Sequence, residues 1–442
     1  MKPLVFVGCV VLLAVGATRR EDATLEAERL VRAYVAAHRL STEEMVAAVK
    51  AAPCSRRFLS ADFWGRGLGN SVNTPLNALG LAVASNRTLL LSVDKQYEAG
   101  FWRYLGEVPW PREDRVLEAF RQARGCERCG GCGNGPLVKK NFFPMNARCL
   151  REGKCGDGVD WLLCNKALTH QDAPFVHISG AVTWLAPLFM KSALFESGAN
   201  SWGLLFDALV NAKASPLQPV LERKLKEGVY DLGIHVRHRQ FQDVDAIQGH
   251  AANCVRHALK TSPRGKRKRV FIATELPSRI PSLMEAIQKA SPLVALDFDF
   301  LNASEVPERE SLRAVARTNA RAVRRDWGEH ALERWLSVAD FYLLSSAKLI
   351  VGTLASTFSE LAIAANNLDS EGFLFDPIFH ITDPKERSQP QKRKWPSDDE
   401  YLSDYGPHFS CIPAHDDWPL PQYLKIRPDH LRGWLRQGGC SI

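Results

Sequence analysis

The chain has 442 residues, long enough for two or three domains of ordinary size. Hydrophobic residues make up 45%, so sizeable cores can form, and the net charge of +8 suits an anionic ligand without being a nucleic-acid signature. Apart from the N-terminal segment, no stretch is long and apolar enough to span a membrane, which takes about 20 residues.

The N-terminus carries a basic Lys2, an apolar core from Leu4 to Val15 and the small residues Val15-Gly16-Ala17. Residues 1–17 therefore read as a cleaved signal peptide or a short signal-anchor, with membrane attachment only if the segment stays uncleaved. Either reading puts the body in the lumen of the secretory pathway, in the Golgi or endoplasmic reticulum, or sends it out as a secreted protein. Of the 11 cysteines, ten remain without Cys9, an even count that suggests disulfides. Asn86-Arg87-Thr88 and Asn302-Ala303-Ser304 are glycosylation acceptors; the second, in a polar loop, is the better one.

Residues 22–52 show helical spacing of apolar residues, and Ser41-Thr42-Glu43-Glu44 reads as a cap opening a second helix. Residues 56–93 read as strand, glycine-rich turn, helix and buried strand, a βαβ unit. Its turn, Gly65-Arg66-Gly67-Leu68-Gly69-Asn70, lets a backbone approach a ligand at a helix N-terminus, but its spacing is not the dinucleotide fingerprint, since no third glycine stands at the required place.

Residues from about 95 to 170 read as a cysteine-rich, loop-rich insertion. Cys126, Cys129 and Cys132 have CxxCxxC spacing, which could bind a metal with Cys149 or His170 as the fourth ligand; in an oxidising lumen disulfides are the expectation. A domain boundary is expected near the prolines Pro216 and Pro219.

Val229 to Val236 reads as a buried strand whose exit turns cationic, with His235, Arg237, His238 and Arg239. Ligands of open α/β sheets bind beyond the carboxyl ends of strands, and an arginine fork matches phosphate. Asp243 and Asp245 follow at once, giving a carboxylate that can act as a base beside a phosphate site. His250 to Lys260 reads as a helix, and the run Ser262 to Arg269 as a solvated basic loop. Val270 to Glu275 reads as a strand with Glu275 at its exit, Pro281 to Ala290 as a helix, and Val294 to Phe300 as a strand. Asp297-Phe298-Asp299 fits a metal-binding pair literally and reads as a strand end. Lys348 to Val351 reads as a strand, and the hydroxyl-rich turn Gly352 to Ser359 opens a helix, which makes an anion cradle of amides and hydroxyls. The tail, 381–442, reads as irregular, with Cys411 and Cys440 available to staple it.

In this order the segments resemble the fucosyltransferase superfamily, whose members include α1,6-, α1,2- and protein O-fucosyltransferases. Gly67-Leu68-Gly69-Asn70 is similar to its N-terminal glycine turn, and Gly233-Ile234-His235-Val236-Arg237 to its His-x-Arg motif. Phe271-Ile272-Ala273-Thr274-Glu275 is similar to a strand that usually ends Ala-Thr-Asp. Asp340 to Ser345, with Val351-Gly352-Thr353 and Ser356-Thr357-Phe358-Ser359, is similar to the C-terminal motif. The likeness covers mainly 60–95 and 229–366. Three departures stand out: His238-Arg239-Gln240 where Arg-Asp or Arg-Thr-Asp is common, Phe241 at the lysine position of the α1,6 type, and Glu275 for Asp.

What the resemblance implies is an α/β, GT-B-like fold of two Rossmann-type domains: an N-terminal acceptor-side domain over 22–215 and a C-terminal donor domain over 216–380. It implies a nucleotide-sugar partner, GDP-fucose, a glycan or glycoprotein acceptor, no nucleic acid, no cofactor and no metal. Donor contacts are expected at His235, Arg237, Arg239, Glu275, Asp340, Ser356, Thr357, Phe358, Gly67, Gly69 and Asn70, and catalytic roles at Arg237 and at Asp245 or Asp243. Two alternatives stay open: a non-catalytic secreted carbohydrate-binding protein on the same fold, and a transferase with another nucleotide sugar.

Overall fold

The structure, a computed structural model, describes residues 25–62, 68–92, 102–129, 136–141, 173–179, 200–237, 244–261, 267–302, 305, 331–353, 356–365, 371–375 and 411–414. The signal segment, the glycine turn through Gly67, the stretch 238–243 and most of the tail lie outside the described residues.

Two helices come first, α1 (residues 25–38) and α2 (Thr42–Ala51). The expected cap is present: Glu44 N–H donates to Ser41 Oγ, and Ser41 N–H donates to the Glu44 carboxylate at 2.8 Å. The βαβ unit follows as β1 (Phe58–Asp62), α3 (Leu68–Ser85) and β2 (Thr88–Ser92), with β1 and β2 parallel.

The stretch expected as an insertion contributes to the domain itself. It supplies α4 (Glu113–Gln122) and β3 (Leu137–Asn141), and β3 pairs in parallel with β4 (Phe175–Ser179). Only Leu137 and Val138 of β3 are apolar, and it is an edge strand where lysines are at home, so its hydrophobic pattern is faint. The first sheet has the order β2-β1-β4-β3.

After α5 (Asn200–Leu209) and α6 (Gln218–Lys224) comes the second sheet. It alternates β5 (Leu232–Val236), α7 (Val244–Thr261), β6 (Arg267–Thr274), α8 (Ile280–Ala290), β7 (Ala295–Phe300), α9 (Ala331–Ser345), β8 (Leu349–Thr353), α10 (Thr357–Ala365) and β9 (Glu371–Phe375). A final strand, β10 (Ile412–Ala414), pairs antiparallel with β9, giving the order β10-β9-β8-β5-β6-β7.

Three elements differ from the sequence reading. Helix α7 starts six residues before His250, because buried Ile247 continues the apolar stripe of Ala251 and Asp245 suits the positive end of the helix. Strand β6 takes in Arg267 to Arg269 from the basic run: Arg267 pairs with Asp297 at 2.9 Å, and the Arg269 guanidinium lies 4.6 Å from the Tyr230 ring centroid. The tail is not irregular throughout, since Cys411 is bonded to Cys254 of α7 and the next three residues extend the sheet. A second disulfide joins Cys54 to Cys129, and Cys126 is also disulfide-bonded, so these two members of the CxxCxxC run are oxidised. Among the described residues no helix is long and apolar enough to cross a membrane.

The two sheets share a core. One hydrophobic cluster runs from Leu59, Leu76 and Leu79 through Phe206 to Phe341, Leu344 and Ala362. The rings of Phe206 and Phe341 meet edge-on at 5.4 Å, and the Tyr342 hydroxyl donates to the Leu105 carbonyl across the domains. The far face of the second sheet packs Leu232, Ile234 and Val236 against α7 and α8.

Central strand β5 lies close to α9 because Gly233 has no side chain. A Cβ there would sit 2.8 Å from Leu344 Cδ1 and 3.0 Å from Ala347 Cβ. Gly233→Ala is expected to cost about 1–3 kcal/mol through overpacking, read as a lower urea midpoint with an unchanged m-value.

Candidate functional site at the exits of β5 and β8

In the second sheet the chain leaves β5 towards β6 and β7, then crosses back through α9 to β8 and β9 on the other side. The strand order therefore reverses between β5 and β8, and that crevice, beyond the carboxyl ends, is where open α/β sheets bind ligands. Residues from β5, β6, β8 and α10 meet there.

His235 is the fourth residue of β5 and is 7% exposed. Its Nδ1 is 2.6 Å from Ser359 Oγ, and its ring packs at 4.6 Å against Phe358 in the first turn of α10. Ser359 Oγ accepts in turn from the Thr353 amide at 3.0 Å. Thr353 closes the circuit: its hydroxyl accepts from the Arg237 amide at 2.9 Å and donates to the His235 carbonyl at 3.0 Å. Thr353 and Ser359 are 1% and 0% exposed, so water does not compete for these bonds.

Arg237 leaves this circuit with its side chain 42% exposed. Its Nε is 3.7 Å from the Glu275 carboxylate just past β6, beyond hydrogen-bond distance, and this buried Nε has no hydrogen-bond partner. Ser356 immediately precedes α10 and is 1% exposed; its Oγ likewise has no partner. Leaving such a buried donor or acceptor unpaired costs about 1–3 kcal/mol. A guanidinium donor, a hydroxyl and a helix N-terminus at one crevice suit an anion with several oxygens.

The structure thus brings together His235, Arg237, Glu275, Ser356 and Phe358 of the expected residues. Asp245 is in the first turn of α7, with an 84% exposed side chain 3.8 Å from Arg279. Asp340 lies on α9 facing the charge of Lys224; burial pushes its carboxyl well above the usual carboxylate range, and Lys224 opposes that shift. Gly69 is buried in the first turn of α3. Gly67, Arg239 and Asp243, and the side chains of Asn70 and Thr357, lie outside what the structure describes.

Asp297 and Asp299 fall inside β7, as the strand reading expected. Lys224 Nζ holds Asp299 at 2.8 Å, the Tyr230 hydroxyl donates to its other oxygen at 2.6 Å, and Arg267 holds Asp297. Both carboxylates therefore already have cationic partners.

Sequence reasoning missed a second polar cluster, on the first sheet. Ser60 of β1 and His177 of β4 are register partners, and Glu113 reaches both from the start of α4. The Ser60 hydroxyl lies 2.6 Å from Glu113 Oε1 and 3.0 Å from His177 Nδ1, with His177 Nδ1 3.2 Å from the same carboxylate oxygen. Burial would raise the Glu113 carboxyl, but the bonds and charge of His177, with Ser60 and Ser92, hold it below its ordinary value. Residues 53 and 64 positions from Glu113 carry no spacing rule that would have found this group.

Comparison with known proteins gives the following. A family model described as a family of unknown function (DUF7810) matches residues 181–368. No curated protein matches the sequence. Among solved structures, a mutant of Arabidopsis thaliana FUT1 in complex with GDP is similar over 90% of this chain and 83% of that one, with 13% identity and a TM-score of 0.52. The fucosyltransferase NodZ from Bradyrhizobium is similar over 72% and 95%, with 15% identity and a TM-score of 0.41. POFUT1 in complex with GDP-fucose is similar over 71% and 96%, with 13% identity and a TM-score of 0.35.

One prediction follows from the cluster on the first sheet. Glu113→Ala would leave Ser60 and His177 without their acceptor and cost about 1–3 kcal/mol at neutral pH. Because the folded carboxyl is held below its unfolded value, the stabilisation is present above the unfolded pKa and is lost as pH falls through the folded one. Denaturation at neutral and acid pH should show the gap between wild type and variant narrowing in acid. The fold that carries both clusters, two Rossmann-type domains in a GT-B-like arrangement, is one this chain shares with FUT1.

Proposed function

We propose that the chain is a glycosyltransferase that moves fucose from GDP-fucose to a hydroxyl of a glycan or glycoprotein, with inversion. The observation that carries the reading is the crevice between β5 and β8, where Arg237 Nε and Ser356 Oγ are buried polar atoms without partners at a helix N-terminus. The shared fold supports it, since the FUT1 structure holds GDP. The oxidised cysteines support a place of action in the secretory lumen, because disulfides rarely persist in the cytosol.

In this reading the diphosphate of the donor lies over the β5–β8 exits. The acceptor oxygen attacks the anomeric carbon of the sugar from the face opposite the phosphate. The carbon–oxygen bond to the β-phosphate breaks, and its electron pair stays on the phosphate oxygen. The fixed charge of Arg237 and the Ser356 hydroxyl stabilise that growing charge without having to reorganise. The acceptor proton goes to a carboxylate, for which Asp245, exposed at the start of α7, is our candidate.

Thermal-shift screening against GDP, UDP and CMP tests the donor class. GDP at about a hundred times its Kd should stabilise the protein by about 2.7 kcal/mol, with UDP and CMP at the same concentration giving little. Stabilisation by UDP alone would move the donor to another nucleotide sugar, and no stabilisation by any nucleotide would support a carbohydrate-binding role. Transfer should survive EDTA; loss of activity restored by manganese would overturn the metal-free reading.

Arg237→Lys should lose about one to two decades in kcat/KM, and Arg237→Ala somewhat more, because the charged fork is worth about 1.5–3 kcal/mol. Wild-type kinetics in the lysine variant would mean that charge alone suffices.

A further inference from the structure

We infer that Thr353 is a positioning residue for Arg237: the ladder with β6 runs to Val236, and on the β8 side, beyond the last ladder pair, the Thr353 side chain sets where the arginine stands. The inference rests on the nucleotide reading for its consequence and on geometry for its cause. The register between β5 and β8 is Gly233 with Ile350 and Ile234 with Val351. Beyond these pairs the two strands are joined at Thr353 by a side chain. One hydroxyl takes the Arg237 amide and gives to the His235 carbonyl, so a single oxygen fixes the peptide groups on either side of Val236.

The same residue is fixed at its own backbone. The Thr353 amide donates to Ser359 Oγ, and Ser359 meets His235 Nδ1. The circuit therefore ties β5, β8 and the first turn of α10 into one body. Arg237 and Ser356 project from two parts of that body, and the Ser356 amide itself donates to the Thr353 carbonyl at 3.2 Å. The spacing between the guanidinium and the hydroxyl of Ser356 is thus set through Thr353. A displacement of about 1 Å in such a group can cost two decades in rate.

Valine has the shape of threonine and lacks both hydroxyl bonds, whereas serine keeps the hydroxyl. Thr353→Val should therefore weaken GDP binding about tenfold, the loss of roughly one net hydrogen bond's worth of placement, and Thr353→Ser should restore most of it. In the Arg237→Ala background Thr353→Val should add nothing, since what it positions is gone. Independently of any ligand, hydrogen exchange should show faster exchange of the Arg237 amide in Thr353→Val and normal exchange in Thr353→Ser, with Thr353→Val still cooperatively folded but melting a few degrees lower because an amide and a carbonyl lose their partner.

If wild type binds GDP and Thr353→Val binds it equally well, or loses as much with alanine at 237 as with arginine, the positioning role is wrong while the nucleotide reading stands. Unchanged exchange of the Arg237 amide in Thr353→Val also refutes it. If wild type binds no GDP, the nucleotide reading falls and takes this inference with it.

Discussion

The hydroxyl of Thr353 is buried, and both of its bonds go to the backbone of the neighbouring strand. In bulk water such a bond is worth little, because water offers the same one. Inside this sheet no water replaces it, so breaking it strands an amide and a carbonyl in a dry interior. The site's geometry depends on that constraint. Arg237 needs a fixed starting point for a long, flexible side chain, and Ser356 needs a fixed helix start. The same short circuit through Thr353, Ser359 and His235 supplies both. His235 accordingly reads as a strut within the circuit, packed on Phe358 and engaged at Nδ1, and Arg237 is the group that reaches outward.

A second constraint acts one level up. The two sheets do not merely touch, because α3 and α5 of the first half pack against α10 and α9 of the second in one apolar cluster. Gly233 brings β5 against α9, and α9 carries Phe341 and Tyr342 to the other half. The strand that ends in Arg237 is therefore braced from behind by the same helix that joins the domains. On the opposite face, the Cys254–Cys411 bond fixes the end strand β10 to α7, whose first turn holds Asp245.

Much of this was legible in the sequence where local chemistry repeats itself. The run from Leu232 to Val236 ending in arginine, the strand and helix that flank the hydroxyl-rich turn and the Ser41–Glu44 cap all declare themselves within a few residues, and the structure has them, with Gly352 and Thr353 of the expected turn belonging to β8. What was not legible depends on partners distant in the chain. Thr353 looks like any threonine at the end of a strand until His235 and Arg237 are set beside it, 118 and 116 positions away. Strand β3 has two apolar residues and β10 has three residues in all, too few to show a period. The partnership of Ser60, Glu113 and His177 exists only because β1 and β4 are neighbours, which follows from topology and not from pattern.

On the proposed function, the crevice between β5 and β8 holds the diphosphate of a guanine nucleotide through Arg237 and Ser356. A crystal structure of the protein with GDP tests it most directly. The account predicts phosphate oxygens within about 3 Å of both the Arg237 guanidinium and Ser356 Oγ, with the Thr353 circuit unchanged from the ligand-free state. A nucleotide bound elsewhere, or one whose phosphates leave Ser356 without a contact, would contradict it.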